Sequence, residues 1–371
     1  MSFVPTEEQR LLDDTLTRLL ERHWDPRREA DTDSGQVADT AVWAEMREAG
    51  LLGLGIPESF GGGGMGAAEL SVLFRRFGRQ QMRSPFLGSA VLAGTALMHV
   101  PQGPLRDRLL SGLASGMLRV SLALLEDGAR YDYRHMTLDV SAGQLSGRKR
   151  VVLEGDGADW LIVSCRLEGE PALVAIEQQA AGVVATSYAA FDGTTLATLD
   201  FQRVTVAGDA VLARGPAAMA ALEDAMALAA LAAASETLGA CEGAFQQTLD
   251  YLRVREQFGT PLARFQALQH RASDLHADME MLRSLVLGAA QALAEGDARG
   301  HGEAFAAMAL AVEVGDRVCR EAIQMHGGIG MTRELGIGQY LLRVNALSRL
   351  FGDAAHCANL YLQTLEACVD E

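Results

Sequence analysis

Two short stretches carry residue types that could do chemistry. In "VREQFGTPLARFQALQHR", Arg255 closes a long apolar helix pattern, Gly259 and Pro261 break the chain, and Phe265 and Gln266 open the next helix. A planar guanidinium at such a corner can hold a phosphate through paired N–H bonds, and Phe258 offers a flat face to a ring. Taken alone, the corner reads more simply as a capped helix end with a surface Arg. In "IQMHGGIGMTREL", three glycines follow the end of a second apolar helix. Neither phosphate-loop pattern fits it. A dinucleotide fingerprint follows a strand and opens a helix, and a Walker loop ends in Gly-Lys-Ser/Thr; here the glycines close a helix and no Lys follows. His326, beside Gly327 and Gly328, reads as a polar helix end, because no His spacing in the chain suits a metal. No G-x-S-x-G or Cys/His nucleophile pattern occurs.

The elements that must position these stretches follow from periodicity. Thr6 and Gln9 form a capping-box pattern ahead of "RLLDDTLTRLL", whose leucines recur at helical spacing. "TAVWAEMREAGLLGLG", "AAELSVLFRRFGRQQ", "FLGSAVLAGTALMHV" and "PLRDRLLSGLASG" continue the helical pattern between Gly, Pro and Ser breaks. The run Gly61 to Gly64 lies between two of them and reads as a turn, since it lacks the Lys, Ser or Thr of a phosphate cradle. From about Val120, alternation and β-branched residues take over ("RVSLALLE", "KRVVLEG", "DWLIVSCR", "PALVAIE", "TLDFQRVTV"), which predicts a compact antiparallel β-domain. After Pro216, four long amphipathic segments joined by Gly-containing turns predict an antiparallel bundle. The expected fold is α+β and mostly α. Residues 1–119 make an N-terminal helical domain, 120–215 a middle β-domain and 216–371 a C-terminal four-helix bundle.

Composition excludes several classes. The 371 residues are 49% hydrophobic and 22% charged, as in ordinary globular proteins. A net charge of −16 argues against general affinity for nucleic acid or anionic membrane. Five scattered cysteines without a C-x-x-C pair suggest buried thiols in a reducing cytosol, not a zinc site or disulfide frame. The charged amphipathic start is unlike a signal peptide, and the run "AMALAALAAASETLGA" is short and Ala-rich for a membrane span. The expectation is a cytoplasmic protein with no membrane or nucleic-acid partner.

The combination is more specific than its parts. "REQFGTPLARFQALQ", followed about 60 residues later by "QMHGGIGMTREL" within this three-part order, resembles the acyl-CoA dehydrogenase family. The resemblance runs from "TEEQRLL" through "LLGLGIPESFGG" to the last helix. It is strongest to small subunits of two-component enzymes, of the pimeloyl-CoA dehydrogenase small-subunit type, in "ARYD", "KRVVLEGDGADWLIVSCR" and "HGGIGMTRELGIGQYLLR…LFGD". It implies FAD as cofactor, an acyl-CoA substrate and an electron-transfer flavoprotein or similar acceptor. In the family, one protomer's β-domain and first bundle hold the flavin ring, and a neighbour's bundle holds the pyrophosphate and adenine. The resemblance places Arg255 and Gln257 at the pyrophosphate and Phe258 near the adenine. Gln266 and Leu268 lie in the matching stretch of the next helix, and Gln324, Gly327 and Gly328 complete the nucleotide end.

Other positions depart from the family pattern. Leu125 stands before Glu126 and Asp127 where the family has Thr, and Val151, Val152 and Leu153 replace Trp-Ile-Thr. The hydroxyls that bond the flavin ring and the aromatic face beside it are lost. The family's catalytic Glu, which removes the substrate α-proton as hydride passes to the flavin, matches Gly352 after Phe351. The alternative family position matches Ala229. Asp353 is a weak candidate base beside the vacancy. The expectation is a non-catalytic half of a heterotetramer, lending nucleotide-end contacts to FAD sites completed by a paralogous subunit that carries the Glu. Two alternatives stand: an active homo-oligomer using Asp353 or Glu126 as base, and a structural partner that does not touch FAD.

Overall fold

The computed structural model describes residues 5–24, 40–332 and 334–369. Its contacts divide the chain into two units that do not follow chain order. One gathers residues 1–33, 67–83 and 230–371; the other holds 34–66 and 84–229.

The second unit carries the sheet. Its helical part comprises α2 (Thr40–Glu48), a π-helix over Leu87–Ala93 continuing into α4 (Gly94–His99), and α5 (Pro104–Ala114). Between α2 and α4 the run Gly61 to Gly64 is a turn, with Gly61 in the left-handed region at φ 84°. Eight strands follow: β1 (Val120–Ala123), β2 (Asp139–Ser141), β3 (Gln144–Leu153), β4 (Trp160–Leu167), β5 (Glu170–Glu177), β6 (Val183–Ala189), β7 (Thr195–Thr205) and β8 (Val211–Arg214). They order as β6-β7-β3-β2-β4-β5-β8, with β1 paired to β4. The expected antiparallel domain needs one amendment, because β1 and β2 both lie parallel to β4. Each reaches it by a crossover and not a hairpin, which alternation in sequence cannot distinguish. Inward residues such as Leu145, Leu161, Val163, Val174, Leu199 and Phe201 form the core.

The first unit is helical. Helix α1 (Glu7–His23) begins with the capping box expected of Thr6 and Gln9, whose side chain and backbone bonds are reciprocal. Helix α3 (Ala67–Arg79) packs against α6 (Pro216–Val254), which starts in the other unit. A Cβ on Gly78 would lie 1.8 Å from the Glu236 carbonyl, and one on Gly239 would lie 1.8 Å from that of Arg75. The two backbones therefore touch, which only glycine permits. Helix α6 is long and apolar enough to span a bilayer, yet 67% of its most apolar window is buried inside the protein. Within that stretch Glu236 pairs with Arg343 at 2.5 Å, both buried, as in a core helix. Helices α7 (Gln266–Glu295) and α8 (Gly300–His326) follow. The expected fourth long segment is two helices, α9 (Ile337–Leu350) and α10 (Ala354–Val369), separated at Phe351-Gly352-Asp353. The apolar period continues across this break, so it hides the interruption, while Gly352 supplies it with φ 113°.

Candidate functional site

The corner after α6 is a hairpin. Strand β9 (Glu256–Gln257) pairs with β10 (Thr260–Pro261) across Phe258 and Gly259. Both turn residues have positive φ, 57° and 79°, the requirement of a type I′ turn. Gly259 meets it freely; Phe258 meets it under strain of about 1–3 kcal/mol. That strain holds an aromatic ring outward: Phe258 is 93% exposed, with only an edge-on contact to Phe265 at 6.1 Å. The hairpin root is tied down by Arg255 N–H donating to the Tyr251 carbonyl, and by Leu262 N–H donating to that of Arg255, both at 2.8 Å. Arg255, Gln257 and Gln266 are all exposed, and Leu268 is half-buried. Among the described residues no carboxylate pairs with Arg255.

The glycine turn belongs to the same unit. Helix α8 ends at His326, and Gly327 leaves it at φ 67°, ψ −145°, a conformation open only to glycine. Among the described residues, added Cβ atoms on Gly327 or Gly328 would meet nothing within 4 Å, so their backbone is open there. Gly330 instead packs tightly, its added Cβ falling 2.6 Å from the Ile323 carbonyl. Gln324, one residue before the final two of α8, is exposed.

His326 joins the two pieces. Its ring stacks on Tyr251 with centroids 4.5 Å apart, and its Nδ1 lies 2.8 Å from the Ala322 carbonyl. A carbonyl only accepts, so Nδ1 carries the proton and Nε2 the lone pair, which is buried without a partner. Burial holds the imidazole below its usual pKa, against a smaller lift from the Ala322 bond. This helix-end histidine is therefore a buried neutral spacer between Tyr251, which roots the hairpin, and the glycines. Sequence alone did not show that role, because nothing in the local pattern pairs Tyr251 with His326. Val254 and Met331, 77% and 80% exposed, extend the face with apolar surface and were also not singled out.

The positions expected near a flavin ring lie in the sheet unit and are chemically different. Leu125 is bridged to Arg150, whose N–H donates to its carbonyl at 2.8 Å. Val151 sits in an irregularity of the β3–β7 pairing with φ 54°, a costly conformation for a β-branched residue. Val152 and Leu153 are buried. None of these side chains offers a hydrogen bond, so none supplies the side-chain bonds to a flavin ring that the resemblance implies for the family. Glu126 is committed elsewhere. It accepts from Lys149 Nζ at 2.8 Å, Thr137 N at 2.8 Å, the Thr137 hydroxyl and Leu138 N at 3.2 Å. Burial raises its pKa, but the Lys149 and Thr137 bonds outweigh burial and leave it lowered. Lys149 also donates to the Leu124 carbonyl and Ser164 hydroxyl, satisfying all three of its protons inside the sheet.

The positions expected to match the family's base are occupied by structure. Ala229 is fully buried on α6. Gly352 is buried at φ 113°, and a Cβ there would fall 2.6 Å from the His356 ring and 3.3 Å from the Cys357 sulfur. Asp353 is exposed, and its Oδ1 accepts the His356 backbone N–H at 2.9 Å, capping α10.

Comparison with known proteins fixes the family. The N-terminal domain model of acyl-CoA dehydrogenases matches residues 6–117, and the C-terminal domain model matches residues 216–360. The chain belongs to the acyl-CoA dehydrogenase family. Members of this family are flavoprotein oxidoreductases. Acyl-CoA dehydrogenase FadE28 of Mycobacterium tuberculosis is 28% identical, with 96% of each chain covered. Acyl-CoA dehydrogenase IpdE2 of Mycolicibacterium smegmatis is 29% identical, covering 94% of this chain and 95% of that one. Among solved structures, the Tcur3481–Tcur3483 steroid acyl-CoA dehydrogenase, in variant form, superposes with TM-score 0.87 at 29% identity, covering 98% and 99% of the two chains. Butyryl-CoA dehydrogenase of Megasphaera elsdenii shares the fold, with TM-score 0.89 at 20% identity and full coverage of both.

Proposed function

We propose that this chain is the non-catalytic subunit of a heteromeric acyl-CoA dehydrogenase that desaturates an acyl-CoA thioester. It lends Arg255, Gln257, Phe258, Gln266, Gln324, Gly327 and Gly328 to the nucleotide end of FAD. The flavin end and the catalytic Glu belong to a paralogous partner. The observation that carries this reading is the turn at Gly352, whose left-handed backbone and the His356 ring beside it crowd any side chain placed there. The exposed hairpin and open glycine backbone support it from the other side: a planar guanidinium such as that of exposed Arg255 can hold a pyrophosphate through paired N–H bonds, and exposed Phe258 offers a ring face to an adenine. When bound, FAD would supply the hydride acceptor, and an electron-transfer flavoprotein or similar acceptor would take the electrons. A similar solved steroid acyl-CoA dehydrogenase bears two chain names, in keeping with a two-subunit enzyme.

The test is coexpression with a Glu-bearing acyl-CoA dehydrogenase subunit sought in the adjacent reading frame, followed by flavin quantification. Fewer FAD than protomers are expected, with loss of FAD on Arg255→Ala or Phe258→Ala in this chain. One FAD per protomer in the chain alone, with acyl-CoA turnover, would overturn the proposal. Unchanged flavin content in both variants would favour a structural partner.

A further inference from the structure

One edge of the sheet is left open. Among the described residues, β6 pairs with β7 alone, along its full 7 residues and without a register shift. Edge strands are usually blunted by charge, proline, a bulge or short length, because their unpaired N–H and C=O groups are a template for another strand. The opposite edge follows that rule: β8 has 4 residues and ends in Arg214. Strand β6 does not. Residues 183–191, "VVATSYAAF", hold no charged residue and no proline. Val184 is 45% exposed and Tyr188 39%, and Thr186, Ser187 and Ala189 are exposed as well.

Two hydrogen bonds fix which backbone groups point outward. Gln202 N–H donates to the Gly182 carbonyl, and Ala190 N–H donates to that of Thr194, both at 2.8 Å. Both pairs lie in the β6–β7 register, so the even-numbered residues of β6 turn their backbone groups to β7. Ala185, Ser187 and Ala189 therefore turn theirs away from the sheet. A second β6 laid antiparallel, with Ala185 opposite Ser187, matches these donors and acceptors. That register sets Thr186 opposite its own copy and Val184 opposite Tyr188. It is also the one self-pairing that uses every residue of the strand. Threonine pairs and aromatic–β-branched pairs are favourable cross-strand neighbours. Each copy carries a net charge of −16, so copies repel where they present charge, and β6 presents none.

We propose that two copies of this chain join through β6, antiparallel about a two-fold axis at Thr186, so that one sheet runs on into the other. Such a contact is isologous and closes at two copies. It uses neither the hairpin nor the glycine turn, and it does not depend on the subunit role argued above.

The test is cysteine cross-linking of the full chain, with oxidised glutathione as the two-electron acceptor. In this register the two copies of Thr186 form a non-hydrogen-bonded pair, with Cα atoms about 4.5 Å apart and within reach of a disulfide. Thr186→Cys is expected to give a disulfide-linked homodimer. In Tyr188→Cys the two thiols stand out of step, about 14 Å apart, and no homodimer is expected. The wild type, in which Cys165, Cys241, Cys319 and Cys357 are buried, sets the background. Thr186→Lys places two like charges face to face on an exposed strand, and should halve the mass of the assembly in sedimentation at matched concentration. No homodimer from Thr186→Cys, an equal yield from Tyr188→Cys, or an unchanged mass in Thr186→Lys would each overturn the proposal.

Discussion

At the scale of single residues, Gly352 and Glu154 make the sharpest tests. Placing a carboxylate at the expected base position by Gly352→Glu forces a side chain into a left-handed backbone and against the His356 ring. It should destabilise the chain by roughly 2–4 kcal/mol in urea denaturation and confer no dehydrogenase activity on the chain alone. Glu154 is buried, which with nearby Asp156 and against Arg119 pushes its pKa from 4.5 to about 7. The folded state then holds a proton that the unfolded state releases, so stability is full below pH 4.5 and is lost as pH rises towards 7. Glu154→Gln should accordingly stabilise the protein by up to about 3 kcal/mol near pH 8 and by little near pH 5, as thermal melts across pH would show. The absence of both Glu positions was legible in the sequence, because glycine and alanine cannot accept a proton. That Gly352 also has no space was not legible, since His356 reaches it only through the turn that starts α10.

Among the elements, the hairpin after α6 would, on the proposed role, set function against stability. Phe258 takes a backbone conformation that asparagine adopts at little cost in type I′ turns. Phe258→Asn should therefore stabilise the free chain by about 0.5–1 kcal/mol while weakening FAD retention in the complex. Melting of the chain alone and flavin content of the complex measure the two effects separately. The helical order, the strand-rich middle and the capping box at Thr6 were readable from period and cap chemistry. The parallel placing of β1 and β2 on β4 was not, because alternation fixes the face of a strand and leaves its neighbour open. The interruption of the last helical segment was hidden for a similar reason: its apolar period persists through Phe351 and Cys357, both buried.

For the molecule as a whole, Val254, Phe258 and Met331 leave one unit with strongly exposed apolar side chains. The isolated chain should self-associate with concentration and bind a hydrophobic dye, and the partner subunit should suppress both. Sedimentation and dye fluorescence with and without the partner check this; an isolated chain that stays monomeric and dye-free at high concentration would count against the subunit role. The closed turn at Gly352 also gives descent a direction. A side chain added at Gly352 would meet both the left-handed backbone and the His356 ring, so a carboxylate there calls for a second change that brings no activity by itself. Neither change is favoured before the other, so if the chain is the non-catalytic subunit proposed above, a single substitution at this turn would not return it to independence.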